Sequence, residues 1–226
     1  MKKLLALALT LIMLFALSAC GDEDVRGNIT PNPDTNSSDN KDDNTTEESF
    51  SLGKTNGGTY TNDYLGLTCT LPSGWEFYSE EQILALNNLT AEAAGDEIAE
   101  AINNANVIQD MYAMNSSEGC NITMALEKGT PLQVAAANLE EVTKSQISVL
   151  KSSYEGMGYT NVDIAYQKVM VDGKQYDGLR LNATIQNLNF YGYIFSFKKG
   201  SYIASVAFGS LGADKTSEIA TYFNFK

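Results

Sequence analysis

Residues 174–209 decide the fold, and they read KQYDGLRLNATIQNLNFYGYIFSFKKGSYIASVAFG. Over 174–186, apolar residues alternate with polar ones, which is the pattern of a strand with one buried face. Over 189–198, both parities are apolar, and one of them carries the stripe Tyr191, Tyr193, Phe195 and Phe197. A strand that is apolar on both faces has to be covered on both faces. The pattern therefore predicts an antiparallel sheet that lies between two covering layers.

Four consecutive strands are predicted, at 159–171, 174–186, 189–198 and 201–209. The connections between them fit tight hairpins at Asp172-Gly173, at 186–189 and at Lys199-Gly200. Before this meander, apolar residues recur at helical spacing and predict one long amphipathic helix from Pro131 to about Gly156, with Thr130 as its cap. After it, a last helix is predicted from Asp214 to the end of the chain.

The first part of the domain adds further short elements. A strand is predicted at 65–71, a helix at 80–88 with Ser79 as its cap, and a second helix from Thr90 to Asn103. Two more strands follow at 107–114 and 120–127. The expected fold class is α+β, with an antiparallel sheet sandwiched between helical layers in an α/β/α arrangement.

This order of elements resembles the PsbP-like fold. The opening Tyr64-Leu65-Gly66-Leu67, which runs into Leu71-Pro72-Ser73-Gly74-Trp75, is similar to the start of that family. The family includes photosystem extrinsic subunits, a Ran-binding import factor and bacterial envelope lipoproteins. The resemblance implies a domain that binds other proteins, and it brings no catalytic site with it.

The N-terminus has the features of an export signal. Lys2 and Lys3 precede an apolar run at 4–17, which is shorter than the ~20 residues of an ordinary membrane span. The following Leu17-Ser18-Ala19-Cys20 resembles the lipobox of bacterial lipoproteins. The resemblance implies that residues 1–19 are a signal peptide, and that Cys20 is lipidated with diacylglycerol and palmitate and anchors the chain in the membrane.

Residues 20–58 are expected to form an acidic tether. The stretch consists mainly of Asp, Glu, Asn, Ser, Thr, Pro and Gly and shows no hydrophobic periodicity. Such a composition does not bury enough apolar surface to offset chain entropy, so a disordered spacer is predicted. Residues 59–226 are expected to form one domain.

Composition excludes several classes of function. Lys and Arg number 15 against 28 Asp and Glu, so the net charge of −13 argues against nucleic-acid binding. The chain has no His, which excludes Ser-His-Asp and Cys-His catalysis and His-ligated metal. No cofactor and no metal site is expected.

Two cysteines follow Cys20, at positions 69 and 120. Cys69 and Cys120 both lie on the apolar parity of their strands, where buried free thiols are common. In an exported domain the two residues could instead form a disulfide. The sequence leaves both alternatives open.

The acidic residues suggest no hydrolase. Paired carboxylates such as Glu80-Glu81 and Glu140-Glu141 fall on predicted helices, where they fit helix starts and solvent-facing positions. No Gly-rich phosphate loop follows a strand. The chain is therefore not expected to be an enzyme.

The remaining candidates are surface residues. Trp75 beside its Pro-Ser-Gly turn, and the hairpin tips at Asp172 and Lys199, are the candidate binding surface. The expected function is a lipid-anchored, non-enzymatic envelope protein whose domain binds a protein partner on the extracytoplasmic face of the membrane. The alternative is a surface module for a glycan or another small polar ligand.

Overall fold

The computed structural model describes residues 50–87, 89, 105 and 107–226. The predicted signal peptide, Cys20, most of the tether and the helix from Thr90 to Asn103 lie outside the described residues. No helix within the described ranges is long and apolar enough to cross a membrane.

The described residues form two antiparallel sheets and a few helices, so the domain is mixed α+β. The larger sheet has seven strands in the order β4-β5-β6-β10-β9-β8-β7. Their bounds are Glu76–Phe77 (β4), Val107–Asn115 (β5), Cys120–Lys128 (β6), Thr160–Val171 (β7), Lys174–Ile185 (β8), Leu188–Lys199 (β9) and Tyr202–Leu211 (β10). The smaller sheet has the order β1-β2-β3-β11. Its strands are Lys54–Asn56 (β1), Thr59–Asn62 (β2), Leu67–Thr70 (β3) and Phe223–Phe225 (β11).

The helices are short apart from one. They are Glu80–Leu86 (α1), Pro131–Ala136 (α2), Leu139–Gly156 (α3) and Thr216–Ile219 (α4), and a 3-10 turn follows at Ala220–Tyr222. The predicted caps are confirmed, because the side chains of Ser79 and Thr130 each accept a hydrogen bond at the start of α1 and α2. Gln82 and Gln133 complete the two capping boxes.

The four-strand meander is confirmed, and its turns explain its register. The β7–β8 hairpin turns at Asp172 and Gly173, whose φ angles are 49° and 70°. The β8–β9 hairpin turns at Gln186 and Asn187, which also have positive φ angles. Two successive positive φ angles match the right-handed twist of paired strands, so each turn joins its strands directly.

Each face of the large sheet is covered by a different layer. On one face, residues such as Phe195, Val206 and Met124 pack with Leu67 and Phe223 of the small sheet in the main core. On the other face, Tyr154 of α3 packs with Phe190 and Leu181. Tyr193, Phe195 and Phe197 of the apolar stripe on β9 therefore pack in or against the main core, but the layer above them is a second sheet with the segment 216–222, and not the helical layer that the sequence predicted.

Close packing between the strands leaves no room for a side chain at Gly178 on β8. A Cβ atom there would lie 2.4 Å from the carbonyl oxygen of Ile194 and 2.6 Å from a methyl group of Val169. Position 178 therefore requires glycine, because the neighbouring strands approach too closely for a larger residue.

Three boundaries differ from the sequence prediction. The predicted long helix is divided, because Ala137 has an extended ψ angle and Asn138 caps α3 as a new helix. The predicted C-terminal helix ends early, because Phe223 and Phe225 lie in strand β11, which pairs with β3. Both aromatic residues pack in or against the main core, and that burial favours a strand over a helix.

The third difference is at the start of the domain. The sequence placed residues up to 58 in the tether, but residues 54–56 form β1 and pair with β2. Phe50 and Leu52 pack against the main core. The composition of this segment is polar, so its two apolar side chains gave too weak a signal.

Candidate functional site

Two concave regions of the described domain are candidate binding sites, because one lies beside sheet edges and the other contains a buried carboxylate. One is a groove between the edges of the two sheets, which we call the edge groove. The other is a cavity above Asp110, which we call the Asp110 cavity.

The edge groove lies between β7, the last strand of the large sheet, and the C-terminal segment that ends in β11. Among the described strands, β7 pairs only with β8 and β11 pairs only with β3, so the two strands are sheet edges. The groove has a volume of about 570 Å³. Its lining includes Gln167, Val169 and Met170 from β7, and Thr221 of the 3-10 turn and Asn224 of β11 from the C-terminal segment.

Two features of the groove affect what it can bind. Met170 is 53% exposed although it is apolar. The carboxylate of Asp172 accepts a hydrogen bond of 2.9 Å from the backbone N–H of Phe225, which joins the two edges at one end. Sheet edges present backbone donors and acceptors that can pair with another extended chain.

The Asp110 cavity lies between the segment 50–55, strand β5 and the start of α1. Its volume is about 430 Å³. Asp110 is only 2% exposed and sits where the register of β5 against β6 shifts between Gln109 and Met111. This bulge turns the carboxylate into the domain.

Three neutral groups donate hydrogen bonds to the Asp110 carboxylate. Oδ2 accepts from the Tyr60 hydroxyl at 2.6 Å and from the Asn62 side-chain amide at 2.7 Å. Oδ1 accepts from the backbone N–H of Gly53 at 2.7 Å. Burial raises the pKa of Asp110, and these three hydrogen bonds oppose that rise. The pKa of Tyr60 is raised well above its usual value, first by burial and then by the neighbouring carboxylate.

The sequence-predicted surface residues do not form one site. Asp172 lines the edge groove. Trp75 is half-buried and packs edge-on against Tyr222 at a centroid distance of 5.8 Å. Tyr222 is a sequence neighbour of groove residues, but neither ring is part of the groove lining. Lys199 lies at a separate hairpin, where its carbonyl accepts a hydrogen bond from the Tyr64 hydroxyl.

Cys69 and Cys120 are both buried and are not bonded to each other. Cys69 lies in the small sheet and Cys120 at the start of β6 in the large one. Burial raises the pKa of Cys69 to about 12 and that of Cys120 to about 11. The structure corresponds to the first sequence alternative, two buried free thiols.

The carboxylate pairs lie where the sequence placed them. Glu80 and Glu81 are exposed in the first turn of α1, and Glu140 and Glu141 are exposed in the first turn of α3. Within the described ranges, no group of three or more Cys, Asp or Glu residues is arranged to hold a metal ion.

Sequence reasoning missed Asp110. The only signal in the sequence is a single acidic residue within the otherwise mostly apolar strand 107–114. Its partners come from residues about 50 positions earlier in the chain, and no local pattern connects them.

Comparisons with known proteins assign this chain to no family. No protein-family model matches the chain, and a search of curated proteins found no match. A solved structure from Bacteroides thetaiotaomicron is similar over 75% of this chain and 48% of its own, with a TM-score of 0.39 and 11% identity. LpqN of Mycobacterium tuberculosis, described as involved in cell envelope biogenesis, is similar over 67% of this chain and 73% of its own, with a TM-score of 0.34 and 6% identity. This chain therefore spans about half the length of the Bacteroides structure.

Proposed function

We propose that this chain is a lipid-anchored cell-envelope protein without enzymatic activity, whose domain binds a protein partner on the extracytoplasmic face of the membrane. The observation that carries the location is the lipobox-like Leu17-Ser18-Ala19-Cys20 behind a short apolar run. An acyl chain contributes about 0.8 kcal/mol per buried methylene, so Cys20 with more than one chain would hold the domain at a bilayer.

The edge groove supports partner binding. One wall is the edge strand β7, and an extended segment of another protein could form backbone hydrogen bonds to it. The other wall combines the helical segment 216–222 with the start of β11. The exposed Met170 offers an apolar contact beside these backbone groups. Groove, edge strands and apolar contact together favour a protein segment over a small polar ligand at this place.

We also propose a relationship to the PsbP-like fold. The described order of hairpin, helix, two strands, helix and four-strand meander supports it. The second sheet on one face and strand β11 at the C-terminus are departures from the layering that the resemblance implied.

The anchor is tested by metabolic labelling with a palmitate analogue. We expect the wild-type protein to be labelled and the Cys20→Ala variant to remain unlabelled, because the thiol that would carry the lipid is gone. Equal labelling of both proteins would contradict the proposal.

Partner binding is tested by a photo-reactive amino acid placed at Met170 in living cells. The matched control is Leu132 on α2, which is also exposed and apolar but lines neither concave region. We expect one defined cross-linked species from position 170 and none from position 132. The same species from both positions, or none from position 170, would argue against the groove as the binding site.

A further inference from the structure

Aromatic rings form part of the walls of the Asp110 cavity. Among the described lining residues, five carry such a ring, namely Phe50, Tyr60, Phe77, Tyr78 and Tyr112. The rings of Tyr78 and Tyr112 are 4.2 Å apart at their centroids and tilted by 44°, so they do not stack flat. The face of an aromatic ring carries partial negative charge and attracts cations.

The carboxylate at the bottom of the cavity has capacity for one more donor. A carboxylate oxygen accepts about two hydrogen bonds. Oδ2 of Asp110 already accepts two, whereas Oδ1 accepts one from the described residues, that of Gly53. A positively charged donor that enters the cavity would find an acceptor there.

Asp110 also has no positive partner among the described residues. All three of its hydrogen-bond donors are neutral, and none of the ion pairs in the described part of the chain includes it. A buried carboxylate without a cation is costly, since neutral hydrogen bonds replace only part of its lost hydration. A cationic ligand would recover part of that cost.

The buried floor of the cavity and the whole chain favour a cation, whereas the charges at the entrance balance each other. Lys54 and Glu80 are both exposed on the lining, so the rim carries one charge of each sign and the buried floor carries Asp110. The net charge of −13 raises the concentration of cations near the domain and repels anions.

We propose that the Asp110 cavity binds a small organic cation, with its charged group near Oδ1 of Asp110 and its apolar groups against the aromatic rings. The cation is an ammonium or guanidinium group, which a free amine or a basic side chain of another protein would supply. A volume of about 430 Å³ accommodates such a group. This site is separate from the edge groove, so it stands or falls independently of partner binding there.

Calorimetric titration of the full chain in a non-ionic detergent tests the proposal. The probes are butylamine, which is protonated at neutral pH, and its neutral isostere butan-1-ol, together with acetyl-Gly-Arg-Gly-amide as a basic side chain and glucose as a neutral sugar. We expect butylamine, the arginine peptide or both to bind at least tenfold more tightly than the isostere and glucose. Which of the two binds distinguishes a free amine from a protein side chain.

Two variants connect binding to the cavity. Tyr78→Leu removes a half-buried ring from the lining, and we expect it to weaken binding of the cation about tenfold, in line with the cation–π energies measured for desolvated sites. Tyr191→Leu removes a half-buried tyrosine outside the cavity and should leave the affinity unchanged. Asp110→Asn should weaken binding at least as much as Tyr78→Leu, and circular dichroism shows whether that variant is folded.

Four results would overturn the proposal. The first three are equal binding of butylamine and its isostere, preferred binding of glucose, and absence of binding by both cations at 50 mM. The fourth is an equal loss of affinity in the Tyr78 and Tyr191 variants, because the cation would then bind elsewhere.

Discussion

Replacing Glu127 by Gln should stabilise the domain at alkaline pH and leave its stability almost unchanged in acid. Glu127 lies on β6 between the cross-strand neighbours Val107 of β5 and Ile203 of β10. Its Oε2 atom is buried and has no hydrogen-bond partner in the described structure. Burial raises the pKa of Glu127 from 4.5 to about 7. The ionised form is therefore the one that folding disfavours.

The sign and the pH range follow from this raised pKa. Below pH 4.5 the carboxyl group is protonated in both the folded and the unfolded chain, so the folded state carries no penalty from a buried charge and the stability of the domain is not reduced by Glu127. As the pH rises from 4.5 through 7, the unfolded chain loses the proton first and stability falls. A pKa difference of this size corresponds to about 3 kcal/mol, and the half-buried side chain keeps part of its hydration, so we expect a loss of about 1–2 kcal/mol.

Urea denaturation at pH 4.5 and pH 8.5 measures the effect. The Glu127→Gln variant should gain about 1–2 kcal/mol of unfolding free energy relative to wild type between the two pH values. The matched control is Glu76→Gln, an exposed glutamate that also lies in a strand, and it should show no such gain. A wild-type pH dependence that persists in Glu127→Gln would refute the reasoning, since another group would then cause it.

Three further predictions concern packing, thiols and the domain boundary. Gly178→Ala should lower the unfolding free energy by about 1–3 kcal/mol, because the added methyl group would collide with the neighbouring strands. Gly156→Ala at the end of α3 has open space around it and should change the unfolding free energy by less than about 1 kcal/mol. Urea denaturation that ranks the two variants in the opposite order would contradict this. Cys69 and Cys120 should react with a thiol reagent in urea but not in the folded protein, because burial raises the pKa of both and excludes the reagent; fast reaction of the folded protein would show that the thiols are accessible. Limited trypsin digestion should leave a fragment that retains Phe50, because this ring packs against the core; mass spectrometry that finds the stable fragment starting after Lys54 would restore the later boundary of the sequence prediction.

The sequence predicts the elements that repeat a local pattern. The meander from β7 to β10 was found because alternation and turn residues agree over about 50 residues, as expected where local and long-range preferences coincide. The caps Ser79 and Thr130 were predicted because their signals are local, namely the acidic residues that follow Ser79 and Pro131 directly after Thr130.

The second sheet was not predicted, and its strands explain why. β11 has three residues, and the single pair Phe223 and Phe225, although spaced as in a strand, is too short to mark a change of period at the end of the chain. β1 consists of Lys54, Thr55 and Asn56, which are polar and exposed. Such strands exist because neighbouring strands pair with them, and pairing between distant segments leaves no periodic signal.

The Asp110 cavity also could not have been predicted, because its residues come from segments that are distant in the sequence. It links the first described segment of the domain to the interior. Gly53 donates its N–H to Asp110, and a Cβ atom at Gly53 would lie 2.2 Å from the Tyr60 hydroxyl, so only glycine fits there. The segment that the sequence assigned to a featureless tether is thus one wall of the cavity, held by the same carboxylate that we propose as the ligand's partner. A cation bound to Oδ1 would share this acceptor atom with the N–H of Gly53. Binding of the cation in the cavity and attachment of segment 50–55 to the domain would therefore be thermodynamically coupled.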